Sequence, residues 1–347
     1  MSNEILIEIN ENGVAIIILN RPQVLNSLSY KMVKDIRKTL TEWKENDNIK
    51  VVVIKGAGDK GLCAGGDIKT LYEARNQGAS AEKARQFFTE EYQTDLAIAQ
   101  FPKPIIACLD GIVMGGGVGL TYGASHRIVT ERTKWAMPEM NIGFFPDVGA
   151  AFFLNRAPGF TGRYLALTAS IIKAADVLYI KGADIYMEQK KMNQFLTRLE
   201  EVNWLQSDVD AKLESLIASF AASPSAESEL AGLQTSIDEH FSHQSVEEII
   251  SSLEKDQSVF AVETKDLLLS KAPVSLKVAL QQLQNGEDKS LEECLAVDLV
   301  LAKNFLLHDD FYEGVRSVLI DKDRNPQYKY KSLADVSPEL VQRFFNG

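Results

Sequence analysis

The run Ile105-Ile106-Ala107-Cys108-Leu109, followed by Met114-Gly115-Gly116-Gly117-Val118-Gly119, decides the architecture of this chain. Five apolar residues in a row read as a buried strand. Three consecutive glycines after it leave backbone N–H groups uncovered, so that another group can approach them closely. The residues after Gly115 predict a short helix toward Tyr122, whose N-terminal dipole adds to those donors. Downstream stand two carboxylates, in Met137-Pro138-Glu139 and Pro146-Asp147. Carbonyl-polarising donors beside paired acids point to enolate or acyl-transfer chemistry. The competing reading is structural: glycines that let a helix pack tightly on a strand.

The flanking sequence supports an α/β core. Residues 6–10 and 14–19 are β-prone and are separated by Glu11-Asn12-Gly13, a hairpin signal. Residues 30–43 carry apolar side chains at Met32, Val33, Ile36, Leu40 and Trp43, which is helical spacing. A strand at 51–54 runs into a glycine-rich loop over 56–66. The stretch 81–99 reads as a helix that Phe101-Pro102-Lys103-Pro104 stops, and 127–130 reads as another strand. Strand, helix and glycine turn alternate through about Lys190. Beyond it few strand-like runs remain, and 245–253 and 259–269 have helical periodicity. Ser223-Pro224-Ser225 reads as a loop between helices. The expected division is a core over 1–195 and a mainly helical region over 196–347.

Composition bounds the function. The 347 residues, 45% of them hydrophobic, suffice for a large core, and 24% charged is close to the globular norm. Against 37 basic residues stand 48 acidic ones, a net charge of −11, which argues against non-specific binding to nucleic acid or anionic membranes. Cys63, Cys108 and Cys294 form no pair pattern and suggest a reducing compartment. The polar, acidic Met-Ser-Asn-Glu start and the lack of a long apolar run suggest a cytoplasmic protein. His126, His240, His243 and His308 show no ligand spacing, so no metal is expected. The pair in His240-Phe241-Ser242-His243 reads as a surface pair.

These residues resemble a known family. Asn20-Arg21-Pro22 and Leu25-Asn26-Ser27-Leu28 are similar to the N-terminal signature of the crotonase (enoyl-CoA hydratase/isomerase) superfamily. Cys63-Ala64-Gly65-Gly66-Asp67-Ile68 and Met114–Gly119 resemble its two oxyanion-hole loops. Phe87-Phe88, Glu90-Glu91-Tyr92, Met137-Pro138-Glu139 and Ile142-Gly143-Phe144-Phe145-Pro146-Asp147-Val148-Gly149 resemble the 3-hydroxyisobutyryl-CoA hydrolase branch. So does the C-terminal Val336-Ser337-Pro338-Glu339-Leu340-Val341. The resemblance implies a spiral of ββα units with a helical C-terminal region.

It also implies roles. The backbone N–H groups of Gly66 and Gly116 would hold a thioester carbonyl, each such donor being worth about 3–4 kcal/mol in comparable holes. Hydratases of this superfamily carry a catalytic glutamate three residues after the second oxyanion glycine, where this chain has Gly119. Glu139 matches their second glutamate. Asp147, eight residues on, stands where they usually have a small residue. One lost and one gained carboxylate favours thioester hydrolysis over hydration. Glu139 would attack the thioester carbon or activate a water, alternatives the sequence leaves open. Asp147 would bind the substrate hydroxyl or orient Glu139. Glu91 matches a substrate-binding position, its plainer reading being a solvated helix face. Leu25, Ala64, Asp67 and Ile68 would contact the adenosine end of coenzyme A, with Lys55, Lys60 or Lys69 near the phosphates.

The implied activity is hydrolysis of an acyl-CoA thioester, foremost 3-hydroxyisobutyryl-CoA in valine breakdown. It needs no cofactor, since coenzyme A arrives within the substrate. A hydratase or isomerase, and a non-catalytic acyl-CoA-binding homologue, are the rival readings. Homo-oligomers are frequent in the superfamily, and the long C-terminal region departs from the usual pattern. Cys63, beside the first glycine loop, reads as a small buried residue and not as a nucleophile.

Overall fold

The computed structural model describes residues 3–76, 80–206 and 208–347. Backbone contacts group the chain into two compact units. The first is Met1–Gly66, Glu90–Trp135 and Ile172–Glu229; the second is Asp67–Thr89, Ala136–Ile171 and Leu230–Gly347.

The strands are β1 (Ile5–Ile9), β2 (Val14–Leu19), β3 (Val51–Gly56), β4 (Gly61–Cys63), β5 (Ile105–Leu109), β6 (Ile112–Met114), β7 (His126–Val129), β8 (Lys134–Ala136) and β9 (Ile185–Tyr186). A six-stranded sheet has the order β1-β2-β3-β5-β7-β9, and a three-stranded one the order β4-β6-β8. Only β1 runs antiparallel in the larger sheet, hairpinned onto β2 with Ile5 opposite Leu19. The Asn10 side chain makes that turn by accepting the Asn12 and Val14 N–H groups. The other pairs are parallel, with Val14 opposite Val51, Val52 opposite Ile105 and Ile106 opposite His126. Parallel strands need long crossovers. Those connections include the helices α1 (Tyr30–Lys44), α2 (Ile68–Asn76), α3 (Ser80–Ala99) and α4 (Gly116–Tyr122). Ser29 caps α1, and Met32, Val33, Ile36, Leu40 and Trp43 are its buried stripe, as their spacing predicts.

One face of the larger sheet, with Val14, Ile16, Val51, Val53, Ile106 and Ile128, packs against Met192, Phe195, Leu199, Leu213 and Ile217. The helices Gln189–Glu201 and Val209–Ala218 supply those residues. The boundary expected after residue 195 therefore falls inside a helix whose Phe195 and Leu199 cover the sheet. The observed units are interleaved along the chain, because burial and not chain order decides which elements pack together.

The second unit is helical. The helix Val246–Lys255 opens with a Ser245/Glu248 capping box, and Leu291–Phe305 opens with Ser290/Glu293. Pro273 occupies the first turn of Pro273–Asn285, where its missing N–H costs nothing. After Tyr186 the described residues contain no further strand.

Candidate active site

β4 and β6 lie side by side and parallel, so both deliver their following loops at the same end of the small sheet. A Cβ placed on Gly65 would stand 3.2 Å from the Met114 carbonyl and 3.5 Å from the Gly116 nitrogen, so the two glycine loops are in contact. Gly65 has φ +103°, a left-handed conformation that glycine adopts without strain. Gly116 is the first residue of α4, and its N–H has no acceptor inside the helix. Among the described residues the Gly66 N–H has no hydrogen-bond acceptor either.

The Asn20–Leu28 signature braces this pair of loops. The Leu28 N–H donates to the Gly65 carbonyl at 2.9 Å, and the Ala64 N–H donates to the Leu25 carbonyl at 3.0 Å. Asn26 is buried between loops: its Oδ1 accepts the Arg21 N–H at 2.9 Å. Its amide donates to the Ala57 and Gly61 carbonyls at 3.0 and 3.1 Å. Leu25 and Asn26 both have φ near +55°. Leu25 and Ala64 thus meet, and Asp67 and Ile68 follow at the start of α2, where Asp67 Oδ1 accepts the Thr70 N–H.

Glu91 is only 2% exposed, which overturns its reading as a solvated face of α3. Its neighbour Glu90 is buried as well, at 8% exposure, and pairs with Arg37. A side chain on Gly116 would run into Glu91 Oε1. Cys63 is fully buried, and burial pushes its thiol up to about 12; Gly65 N–H points at its sulfur at 3.3 Å. A thiol that holds its proton so firmly is a poor nucleophile. Of the three lysines, Lys69 pairs with Glu73 at 3.9 Å and Lys60 is exposed. Lys55 lines a cavity of about 300 Å³ together with Asp110 and Arg132.

The second unit holds the carboxylates. Pro138 ends the stretch after β8, and Glu139 opens a single 3-10 turn, Glu139–Ile142. Glu139 is 7% exposed and Asp147 5%. Glu139 Oε2 has no hydrogen-bond partner among the described residues. Burial, and then the charge of Asp147, push the Glu139 carboxyl well above its usual range, with its own backbone N–H opposing them in part. Phe144 and Phe145, between them in sequence, are themselves fully buried. Phe144 stacks on Phe88 with centroids 5.6 Å apart, and Phe145 lies 5.2 Å from Phe305. A buried, electron-rich carboxylate with a free oxygen is suited to attack a carbon or to take a proton.

Two buried polar residues at the turn that carries Asp147 stand outside every motif of the sequence. Asp298 is wholly buried, and its Oδ2 accepts the Gly149 N–H at 2.8 Å. Gln282 Nε2 donates to Asp298 Oδ1 at 2.7 Å and to the Pro146 carbonyl at 2.9 Å. A signal existed: Asp298 interrupts the apolar stripe Cys294, Leu295, Leu301, Ala302 and Phe305. The surface reading of His240 is wrong. It is 1% exposed, held between Ser252 Oγ at 2.8 Å and Asp256 Oδ2 at 3.1 Å. The capped helix Val246–Lys255 folds back over it and brings those partners from later in the chain.

Gly66, Gly116, Glu91, Leu25 and Ala64 are therefore gathered in the first unit, and Glu139 and Asp147 in the second. Comparison with known proteins gives the family. Residues 14–345 match the family model described as "Enoyl-CoA hydratase/isomerase". The chain is 38% identical to 3-hydroxyisobutyryl-CoA hydrolase, mitochondrial, of Gallus gallus, over 96% of this chain and 87% of that protein. It is 37% identical to the protein of the same name of Homo sapiens, over 100% of this chain and 89% of that one. Among solved structures, a carnitinyl-CoA dehydratase from Mycobacterium thermoresistibile superposes with a TM-score of 0.91 at 35% identity, covering 100% of this chain and 97% of its own. An enoyl-CoA hydratase from Rhodobacter sphaeroides gives 0.89 at 32%, with 99% and 97% covered. With its paired glycine loops, its mixed α/β core and its helical C-terminal region, this chain belongs to the enoyl-CoA hydratase/isomerase family.

Proposed function

We propose that the protein hydrolyses short 3-hydroxyacyl-CoA thioesters, 3-hydroxyisobutyryl-CoA first among them. The observation that carries this reading is the buried Glu139–Asp147 pair in a chain whose residue 119 is glycine. Adding water across a double bond uses two carboxylates arranged as acid and base, and the usual first one is missing here. Relatives aligned over nearly the whole chain, and named 3-hydroxyisobutyryl-CoA hydrolase, support the same substrate.

In this proposal the N–H groups of Gly66 and Gly116 meet the charge that develops on the thioester oxygen. Glu139 then acts by one of two routes. Its carboxylate oxygen bonds to the acyl carbon as the C–S bond breaks, coenzyme A leaves as thiolate and takes a proton, and water opens the resulting anhydride. Alternatively Glu139 takes a proton from a water whose oxygen forms that bond. Both balance as ester plus water giving acid plus coenzyme A. Asp147 binds the substrate hydroxyl or orients Glu139, Glu91 binds substrate, and Leu25, Ala64, Asp67 and Ile68 face the adenosine end. Self-association rests on the family resemblance. Three buried free thiols suit a reducing compartment, and the relatives' names place those proteins in mitochondria.

The test is chromatography of products after incubation with 3-hydroxyisobutyryl-CoA and, separately, crotonyl-CoA. Free coenzyme A from the first, with the second untouched, supports the hydrolase. A second reading, hydration, is favoured by the names of the two solved structures; hydrated crotonyl-CoA without coenzyme A release would put it first. Heavy-oxygen label in Glu139 after one turnover in labelled water identifies the anhydride route.

A further inference from the structure

The turn that carries Asp147 is held from two helices by one buried pair of side chains. Val148 follows with φ +52° and Gly149 with φ +81°. Two successive left-handed residues are uncommon, and a β-branched side chain is strained in that region. Such a conformation persists where its surroundings over-determine it. Here they do so at both ends of the carboxylate. Gln282, from the helix Pro273–Asn285, donates to the carbonyl of Pro146, just before Asp147. Asp298, from the helix Leu291–Phe305, accepts the N–H of Gly149, two residues after it. The two side chains are themselves joined at 2.7 Å. The rest of that helix face is an apolar stripe, so a carboxyl buried there depends on these hydrogen bonds.

We infer that Asp298, acting with Gln282, is a positioning residue of the reaction, holding the 146–149 turn in the strained form that aims the Asp147 carboxylate. The inference rests on the hydrolase reading above. Burial and the charge of Asp147 push the Asp298 carboxyl well above its usual range, so asparagine is its neutral replacement in nearly the same shape.

Three variants and two readouts test it. In Asp298→Ala, kcat falls by about tenfold or more while KM changes by less than about threefold, since a misaimed group costs rate before it costs binding. Asp298→Asn, which keeps an acceptor for one of the two bonds, recovers kcat to within about threefold of the parent. Amide hydrogen exchange in the substrate-free protein quickens at Gly149 in Asp298→Ala, ahead of the flanking helices. Parental kcat in folded Asp298→Ala overturns the inference, and so does Asp298→Asn as slow as the alanine variant. Should Asp298→Ala fail to fold, Gln282→Leu carries the same test from the Pro146 side, and unchanged kcat there overturns the inference equally. If the parent protein releases no coenzyme A, the hydrolase reading fails by itself. The exchange at Gly149 still shows whether Asp298 holds the turn.

Discussion

Glu91 Oε1 stands where a side chain on residue 116 would begin. A carboxylate buried to 2% exposure thus lies against the first residue of α4, whose N–H is the proposed second oxyanion donor. The closeness is possible only because residue 116 is glycine. Leu28 Cδ1, 3.2 Å from the same imagined Cβ, blocks the other way out.

Gly116→Ala should therefore displace Glu91 or α4. We expect a loss of about 1–3 kcal/mol in stability from overpacking and a fall in kcat of about 10²-fold from a misplaced donor. Thermal unfolding and steady-state kinetics measure the two. Adding Glu91→Ala should return part of the stability, and strict additivity of the pair would show that the two residues do not meet.

Glu139→Gln should lower kcat by about 10²–10⁴-fold, the range for loss of a group that transfers protons or attacks carbon. The same substitution has a pH signature in stability. The folded carboxyl holds its proton well above the ordinary value of 4.5, so over that window the native state is protonated and the unfolded one is not. The parent accordingly loses stability as pH rises through the window. Glutamine removes this loss. The melting temperature of Glu139→Gln relative to the parent should climb between pH 5 and pH 8; a flat or falling difference would contradict the assignment.

Removing the neighbouring charge acts on the same group from outside. In Asp147→Asn, Glu139 keeps its burial but loses the repulsion that helps to raise it, so its proton leaves at lower pH. Activity that needs the Glu139 carboxylate is lost as pH falls, and the acidic limb of the kcat profile should move downward. A drop in kcat of about 10-fold to 100-fold is expected at neutral pH. Full turnover in this variant would remove Asp147 from the mechanism.

Asn26 offers a test on the scaffold. Its amide nitrogen donates to two carbonyls, Ala57 and Gly61. Asn26→Asp places an oxygen against both and should cost about 2–4 kcal/mol, more than Asn26→Ala, because buried acceptors then face each other. Chemical denaturation of the two variants ranks them.

Much of the local structure was legible. Alternating and helical periodicities located β1, β2 and α1, and Pro102 and Pro104 ended α3 where proline supplies no donor. β9 was not legible: two residues, Ile185 and Tyr186, make a strand only because Ile128 and Val129 of β7 pair with them. His240 looked like a surface residue, because its partners Ser252 and Asp256 lie beyond the next turn of chain.

By itself the sequence determined the chemistry available: which positions are glycine, where the carboxylates fall, and that residue 119 carries none. These are properties of single residues and of neighbours within a few positions. Tertiary structure alone decided which carboxylates are buried and what each then meets. Glu90 and Glu91 are adjacent and both buried, yet one pairs with Arg37 and the other lies against Gly116. Asp298 reaches the Asp147 turn from 149 residues beyond Gly149. The work of taking a charge out of water depends on everything packed around it, and that packing is set by contacts distant in the chain.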